Sequence, residues 1–200
     1  MSSVAERQDT EQPGTPRPRR ARIVRASLLS LLAVAVILSA VLVAWSGKRG
    51  LGADPVGSMA PGFTLPLLDG EGEVSLSDLR GKVVVLNFWA SWCTACKAEA
   101  KVLEAGWQKW RSRGVVFLGV DTQDSRRWGM EKEKEWGTTY RSVFDGDSRT
   151  KNRYGTTGIP ETFFIDARGE ITGKQIGAID AVTLDEMISG ALTEREEASS

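Results

Sequence analysis

The chain has 200 residues, 41% hydrophobic and 26% charged, with a formal net charge of zero. Those are globular values, enough for one core, and nothing in the charge balance points to nucleic acid. There is no histidine and there are two cysteines, which excludes a Cys/His nucleophilic pair, a Ser/His/Asp triad and a histidine metal cluster.

Residues 1–26 carry five arginines between positions 17 and 25 without an acid, and read as a basic, disordered N-terminus. Residues 27–45 hold no charge and no proline, the length a helix needs to cross hydrocarbon. A cleaved signal would have a shorter apolar region and a small-x-small cleavage site, so the segment is expected to be a retained transmembrane anchor. The arginine excess ahead of it places the N-terminus in the cytoplasm and the remainder outside. Residues 46–59 read as a linker, 60–192 as the folded domain, and 193–200 as a disordered acidic tail.

Within the domain, residues 63–67 and 73–76 read as short strands about the Asp69-Gly70 turn. Residues 83–90, VVVLNFWA, form a continuous β-branched and aromatic run, as expected of a strand buried on both faces. A helix is predicted over 97–112 and a buried strand over 115–121, followed by a charged helix over 125–136 and a short helix or turn over 148–154. Residues 162–166 and 170–176 flank Ala167-Arg168-Gly169 as a hairpin, and an amphipathic helix spans 181–192. This alternation predicts an α/β fold: a mixed sheet with helices on both faces.

The cysteines stand as Cys93-Thr94-Ala95-Cys96. A bridge closing so short a loop removes little unfolded-state entropy, so a redox role fits better than a structural one. Cys93 follows a strand and opens a helix, where unpaired N–H groups and the helix dipole stabilise a thiolate. It is therefore the expected nucleophile, and Cys96, one turn on, the resolving thiol. A zinc site would need two more ligands, and haem attachment would need histidine at position 97, where Lys97 stands. A copper(I) carrier needs only two thiolates and stays open as a non-enzymatic alternative.

The segment Phe88-Trp89-Ala90-Ser91-Trp92-Cys93-Thr94-Ala95-Cys96 resembles the active-site segment of membrane-anchored thioredoxin-like proteins of the TlpA/ResA/CcmG group. Ala60-Pro61-Gly62-Phe63-Thr64-Leu65 is similar to their N-terminal β extension, shared with peroxiredoxins. Gly158-Ile159-Pro160-Glu161-Thr162-Phe163 is similar to the cis-proline segment of the CcmG branch, also called DsbE. The resemblance implies a thioredoxin-like fold and a thiol–disulfide oxidoreductase with no cofactor beyond the Cys93/Cys96 disulfide. It also implies that Pro160 is cis, that the Ile159 backbone pairs with an extended substrate, and that Trp92 and Glu161 belong to the substrate-binding set. Glu99 falls where that branch carries an acid near the disulfide and is a candidate proton acceptor; its alternative is a carboxylate complementing the helix dipole.

Two departures stand out: the dipeptide is Thr94-Ala95 rather than one with proline, and Asn87 replaces the buried aspartate of thioredoxins, so another residue must assist Cys96. The implied function is a reductase supporting cytochrome c maturation, its substrates apocytochrome c or its assembly factors, its electrons from a membrane donor of the CcdA/DsbD kind. An oxidase or isomerase for secreted proteins is the alternative. A peroxidase ranks low, because there is no Pro-x-x-x-Thr-x-x-Cys pattern.

Overall fold

The computed structural model describes residues 55–197, with side chains to residue 193, and Val36, Ile37 and Ser39 near the N-terminus. The expected membrane segment at 27–45 otherwise lies outside the described residues. Among those described, no helix is long and apolar enough to cross a membrane.

The run VVVLNFW becomes β3 (Val83–Trp89), buried along its whole length at the centre of a five-stranded sheet. β4 (Val115–Thr122) pairs parallel with β3, and β5 (Arg141–Asp145) parallel with β4. On the other side β6 (Glu161–Ile165) runs antiparallel to β3, and β7 (Ile171–Ile176) antiparallel to β6. β1 (Thr64–Pro66) and β2 (Glu73–Ser75) form a separate antiparallel hairpin, as the sequence predicts. Leu67, directly after β1, bridges to Val143, so the end of the hairpin's first strand covers the outer edge of β5, which would otherwise be an open template for pairing.

The period of two in β3 divides the core. Val84, Leu86 and Phe88 join Phe63, Val74, Phe163 and Tyr154 on one face, roofed by the hairpin and by the end of α3 (Arg149–Arg153). Val83 and Val85 face α1 (Thr94–Trp110) and α4 (Ala181–Glu197), packing with Leu103, Phe117, Leu184 and Ile188. α2 (Arg126–Trp136) connects β4 to β5 in the same sense that α1 connects β3 to β4, and the right-handed crossover rule places both helices on one face. Trp136 of α2 accordingly packs against Trp89, ring centroids 5.4 Å apart and planes tilted by 59°. Helix packing against α1 is tight enough that a Cβ on Gly106 would lie 2.5 Å from a Leu184 methyl.

Three boundaries differ from the sequence reading by three residues or more. α1 starts at Thr94, because Cys93 itself caps it. α4 continues to Glu197, beyond residue 192, its charged end being made of good helix formers. Docking of the N-terminal segment begins before residue 60: the Gly57 N–H donates to the Ile171 carbonyl, and Met59 bridges to Glu170.

Candidate active site

The active-site turn follows from where β3 ends. Trp89 is its last residue, and the chain turns through Ala90–Cys93, the Cys93 N–H donating to the Ala90 carbonyl at 3.1 Å. Cys93 occupies the N-cap of α1 in extended backbone, and its Sγ accepts the Cys96 N–H at 3.1 Å. Cys93 and Cys96 are joined in a disulfide, their Cα atoms 5.2 Å apart. Both are buried in a small cluster with Leu68 and Trp89, against which Trp136, Phe144 and Ile159 pack.

Ile159 belongs to the loop facing that cluster, and the Ile159–Pro160 bond is cis, as the resemblance implies. Pro160 is buried, its carbonyl accepting the Gly177 N–H at 2.9 Å. Trp92 stands out from the surface at 61% exposure, yet its Nε1–H donates to the Gln123 carbonyl at 3.0 Å. An exposed indole held by its polar edge presents a fixed apolar face beside the disulfide.

Glu99 lies in the second turn of α1, past the first-turn positions where a carboxylate complements the dipole, and is 1% exposed. Asn87 Nδ2 donates to its Oε1 at 2.8 Å and the Ile179 N–H to its Oε2 at 3.0 Å. Burial raises its pKa to about 7, with the Ile179 N–H and Asn87 pulling the other way. Asn87 also donates to Thr162 Oγ1 at 3.0 Å, and it lines a small cavity with Cys96, Trp136 and Tyr140. Asn87 and Glu99 together thus occupy the ground behind Cys96 where a single aspartate was expected to be missing.

Glu161 is placed differently. It pairs with Phe88, so it shares the sheet face of Phe88 and Phe163, whereas Asn87 and Thr162 point to the α1 side. Its Oε1 accepts from the Thr157 N–H at 2.7 Å, the Thr157 hydroxyl at 2.8 Å and the Gly158 N–H at 3.0 Å, while Lys174 Nζ lies 2.7 Å from Oε2. Burial pushes its pKa up, but Lys174, Thr157 and Gly158 outweigh that and leave it lowered. Its side chain is engaged with the loop that leads into the cis-proline.

Asp124, a residue outside the sequence-predicted set, holds the cysteine turn. Asp124 Oδ2 accepts the Ser91 N–H at 2.5 Å, and behind it stands Asp121, fully buried. The signal available in the sequence was the acidic pair closing the β4 run, Asp121-Thr122-Gln123-Asp124. Among the described residues no group of three or more cysteine, aspartate or glutamate side chains is arranged to hold a metal ion.

A disulfide at a helix N-terminus, opposite a cis-proline on a mixed sheet, defines the thioredoxin-like class of redox protein. Residues 56–174 match the model of the AhpC/TSA family. The chain is 37% identical over 142 residues to the thiol:disulfide interchange protein DsbE of Pseudomonas fluorescens biotype C, covering 67% of this chain and 78% of that protein. It is 30% identical over 155 residues to the thiol–disulfide oxidoreductase ResA of Bacillus subtilis (strain 168), covering 78% of this chain and 84% of that one. A thiol:disulfide interchange protein of the thioredoxin family from Chlorobium tepidum TLS superposes with a TM-score of 0.61 at 31% identity, over 70% of this chain and 99% of the other. The chain belongs to the AhpC/TSA family, as a thioredoxin-fold thiol–disulfide oxidoreductase of the DsbE and ResA type.

Proposed function

We propose that the protein is a reductase for protein disulfides in an oxidising compartment outside the cytoplasm, with Cys93 as the attacking thiolate and Cys96 as the resolving thiol. The observation that carries the dithiol chemistry, with Cys93 as the attacking sulfur, is the position of Cys93 as the cap of α1, its sulfur receiving the Cys96 N–H. In the reduced protein the same N–H and the helix dipole favour the Cys93 thiolate. That thiolate attacks a substrate disulfide, forming one S–S bond to Cys93 and releasing one substrate thiolate. Cys96 then loses its proton and attacks the Cys93 sulfur, which regenerates the intramolecular disulfide and releases the second substrate thiolate. Glu99, with its pKa near neutrality, is the acceptor for the Cys96 proton.

Trp92 and Ile159 flank the disulfide as the substrate-binding surface, the Ile159 backbone pairing with an extended segment as an added strand does. Glu161 serves that surface indirectly, by fixing Thr157 and Gly158 ahead of Ile159 and Pro160. Disulfides persist outside the cytoplasm, so the CXXCH thiols of apocytochrome c, or of its assembly factors, need such an electron source there. Electrons reach the protein from a membrane donor of the CcdA/DsbD kind. Residues 27–45 anchor the chain, with the N-terminus inside and the catalytic domain outside.

The equilibrium reduction potential of the purified chain against glutathione tests the direction of flow. A reductase gives a value near about −270 mV, whereas a value near about −120 mV makes the protein an oxidant and removes the reading. Cys96→Ser should accumulate mixed disulfides with protein substrates, and Cys93→Ser few; equal trapping would reverse or abolish the assigned roles.

A further inference from the structure

Between β4 and α2 the chain makes a turn that no part of the reaction above uses, and it touches the segment ahead of the nucleophile twice. The Ser91 N–H, two residues before Cys93, donates to Asp124 Oδ2 at 2.5 Å. The Trp92 indole N–H, one residue before Cys93, donates to the Gln123 carbonyl at 3.0 Å. Gln123 is held in the left-handed region, φ 55°, which turns that carbonyl toward the indole at a cost an ordinary connecting loop would avoid. The other oxygen of Asp124 accepts the Ser125 N–H at 2.7 Å, and Ser125 is the cap of α2, its Oγ accepting the Trp128 N–H. One carboxylate therefore ties the cysteine turn to the start of α2.

The surroundings keep that carboxylate in place. Asp121, three residues earlier, is fully buried with no N–H or hydroxyl donor among the described residues on either oxygen and the Asp124 carboxyl within hydrogen-bonding reach, and a Cβ on Gly129 would lie 2.2 Å from its Oδ2. The Gly129 position is thus kept free of a side chain where α2 crosses the end of β4. Burial, and after it the neighbouring Asp124, raise the Asp121 pKa to about 9, with Glu133 adding to the rise and Arg126 opposing it. Asp121 is then uncharged at neutral pH, and Asp124 is the carboxyl bonded to the Ser91–Cys93 turn on this side.

We propose that Asp124 is a positioning residue for the nucleophile, one that fixes the Ser91–Trp92 approach to Cys93 and sets its thiol potential through a negative charge placed beside the turn. The proposal rests on Cys93 being the attacking thiol. A carboxylate there opposes the helix dipole, raises the Cys93 thiol pKa and favours the disulfide over the dithiol, so it drives the protein toward reducing power. Asparagine loses the charge and keeps one acceptor oxygen, enough for the Ser91 N–H, while giving up the bond from the Ser125 N–H, so the charge and the Ser91 bond are separable.

The test uses the full chain and three variants, Asp124→Asn, Asp124→Ala and Asp124→Glu. The readouts are pH-dependent alkylation of Cys93, equilibrium with glutathione, and tryptophan anisotropy. Asp124→Asn should raise Cys93 alkylation at neutral pH about threefold, the change that a shift of about half a pKa unit produces, and move the glutathione equilibrium toward the dithiol. Its anisotropy should stay at the wild-type value. Asp124→Ala should show the same thiol shift and, in addition, a loss of anisotropy as Trp92 is released; Asp124→Glu should restore the charge effect in part. Alkylation rates and glutathione equilibria unchanged in both Asp124→Asn and Asp124→Ala would overturn the proposal. If Cys93 is not the faster-alkylated thiol in the unaltered chain, the assignment of the nucleophile fails instead, which keeps the two ideas distinguishable.

Discussion

Glu161 and Glu99 are both buried, and both lie within one strand or one helical turn of the redox pair, yet the protein treats them oppositely. Glu161, on the hairpin face of the sheet, meets three donors on one oxygen and an ammonium on the other, and its pKa is lowered. Glu99, on the helix face, meets two donors, and its pKa rises to about 7. Asp121 extends the series: no N–H or hydroxyl donor among the described residues reaches either oxygen, the partner within reach is another acid, Asp124, and its pKa is about 9. Burial alone would raise all three, so the number and charge of the donors decides which carboxyl is a fixed anion, which a proton acceptor and which a neutral group.

The sharpest way to break the comparison is to remove the ammonium. Lys174 has a side-chain exposure of 12% and pairs with a carboxylate that is fully buried. Lys174→Met should cost about 3–5 kcal/mol in denaturant unfolding, as removing one partner of a buried pair does. A loss under about 1 kcal/mol would mean that the three neutral donors suffice to hold Glu161 charged. The pH dependence is signed: a lowered pKa means the Glu161 contribution is present above the ordinary carboxylate range and lost as pH falls through the folded value.

Asp121 gives the opposite sign. Its folded pKa of about 9 stands above the usual 3.8, so the unfolded chain releases its proton first. Stability is therefore complete below about pH 4 and declines as pH rises toward about 9. Asp121→Asn mimics the neutral form and should gain about 1–3 kcal/mol at pH 7, with no gain at pH 3. Thermal unfolding at the two pH values checks it; an equal effect at both would show that Asp121 is not the titrating group.

Much of this architecture was legible in the chain itself, and the rest was hidden for a definite reason. The buried run at 83–89, the helix after Cys93 and the terminal hairpin announce themselves by period and by turn residues. β5 did not: Arg141-Ser142-Val143-Phe144-Asp145 is short, and it buries Ser142 and Asp145 along with Val143, so its polar content reads as loop. Cys93, Cys96 and the cis bond before Pro160 could be read from local motif. The carboxyl environments could not, because their donors come from far along the chain. The Ile179 N–H reaches Glu99 across 80 positions, and Asn87 meets Thr162 across 75. Local sequence could nominate Glu99, but tertiary packing assigned it its charge.

At the reacting centre the comparison predicts a kinetic effect rather than a large stability change. Glu99→Gln should slow release of a trapped mixed disulfide about tenfold at neutral pH, since it removes the proton acceptor while keeping the shape. It should also flatten the pH dependence of unfolding between about 4.5 and 7, the window bounded by the ordinary and raised pKa values. Stopped-flow resolution on the variant and the unaltered chain decides: equal rates across that window would leave Glu99 a structural group only.

The smallest expected effect is also the most direct test of donor counting. Asn87→Leu keeps the approximate volume but removes the donor to Glu99 Oε1, leaving the Ile179 N–H as the remaining partner given by the geometry. Asn87 stabilises the charged form, so its loss should move the Glu99 pKa upward from about 7, by about one unit or less. The same change frees Thr162 Oγ1, which gives up its bond from Asn87, so some stability is lost independently of pH. The two consequences separate in a carboxyl titration followed by carbon-13 NMR, which reads Glu99 without reference to global stability. An upward shift confirms that each donor holds part of the charge on this carboxyl. A downward shift would mean that water enters the space behind Cys96 and solvates Glu99 better than Asn87 does, and the ranking of the three carboxyls by their protein donors would then have to be abandoned.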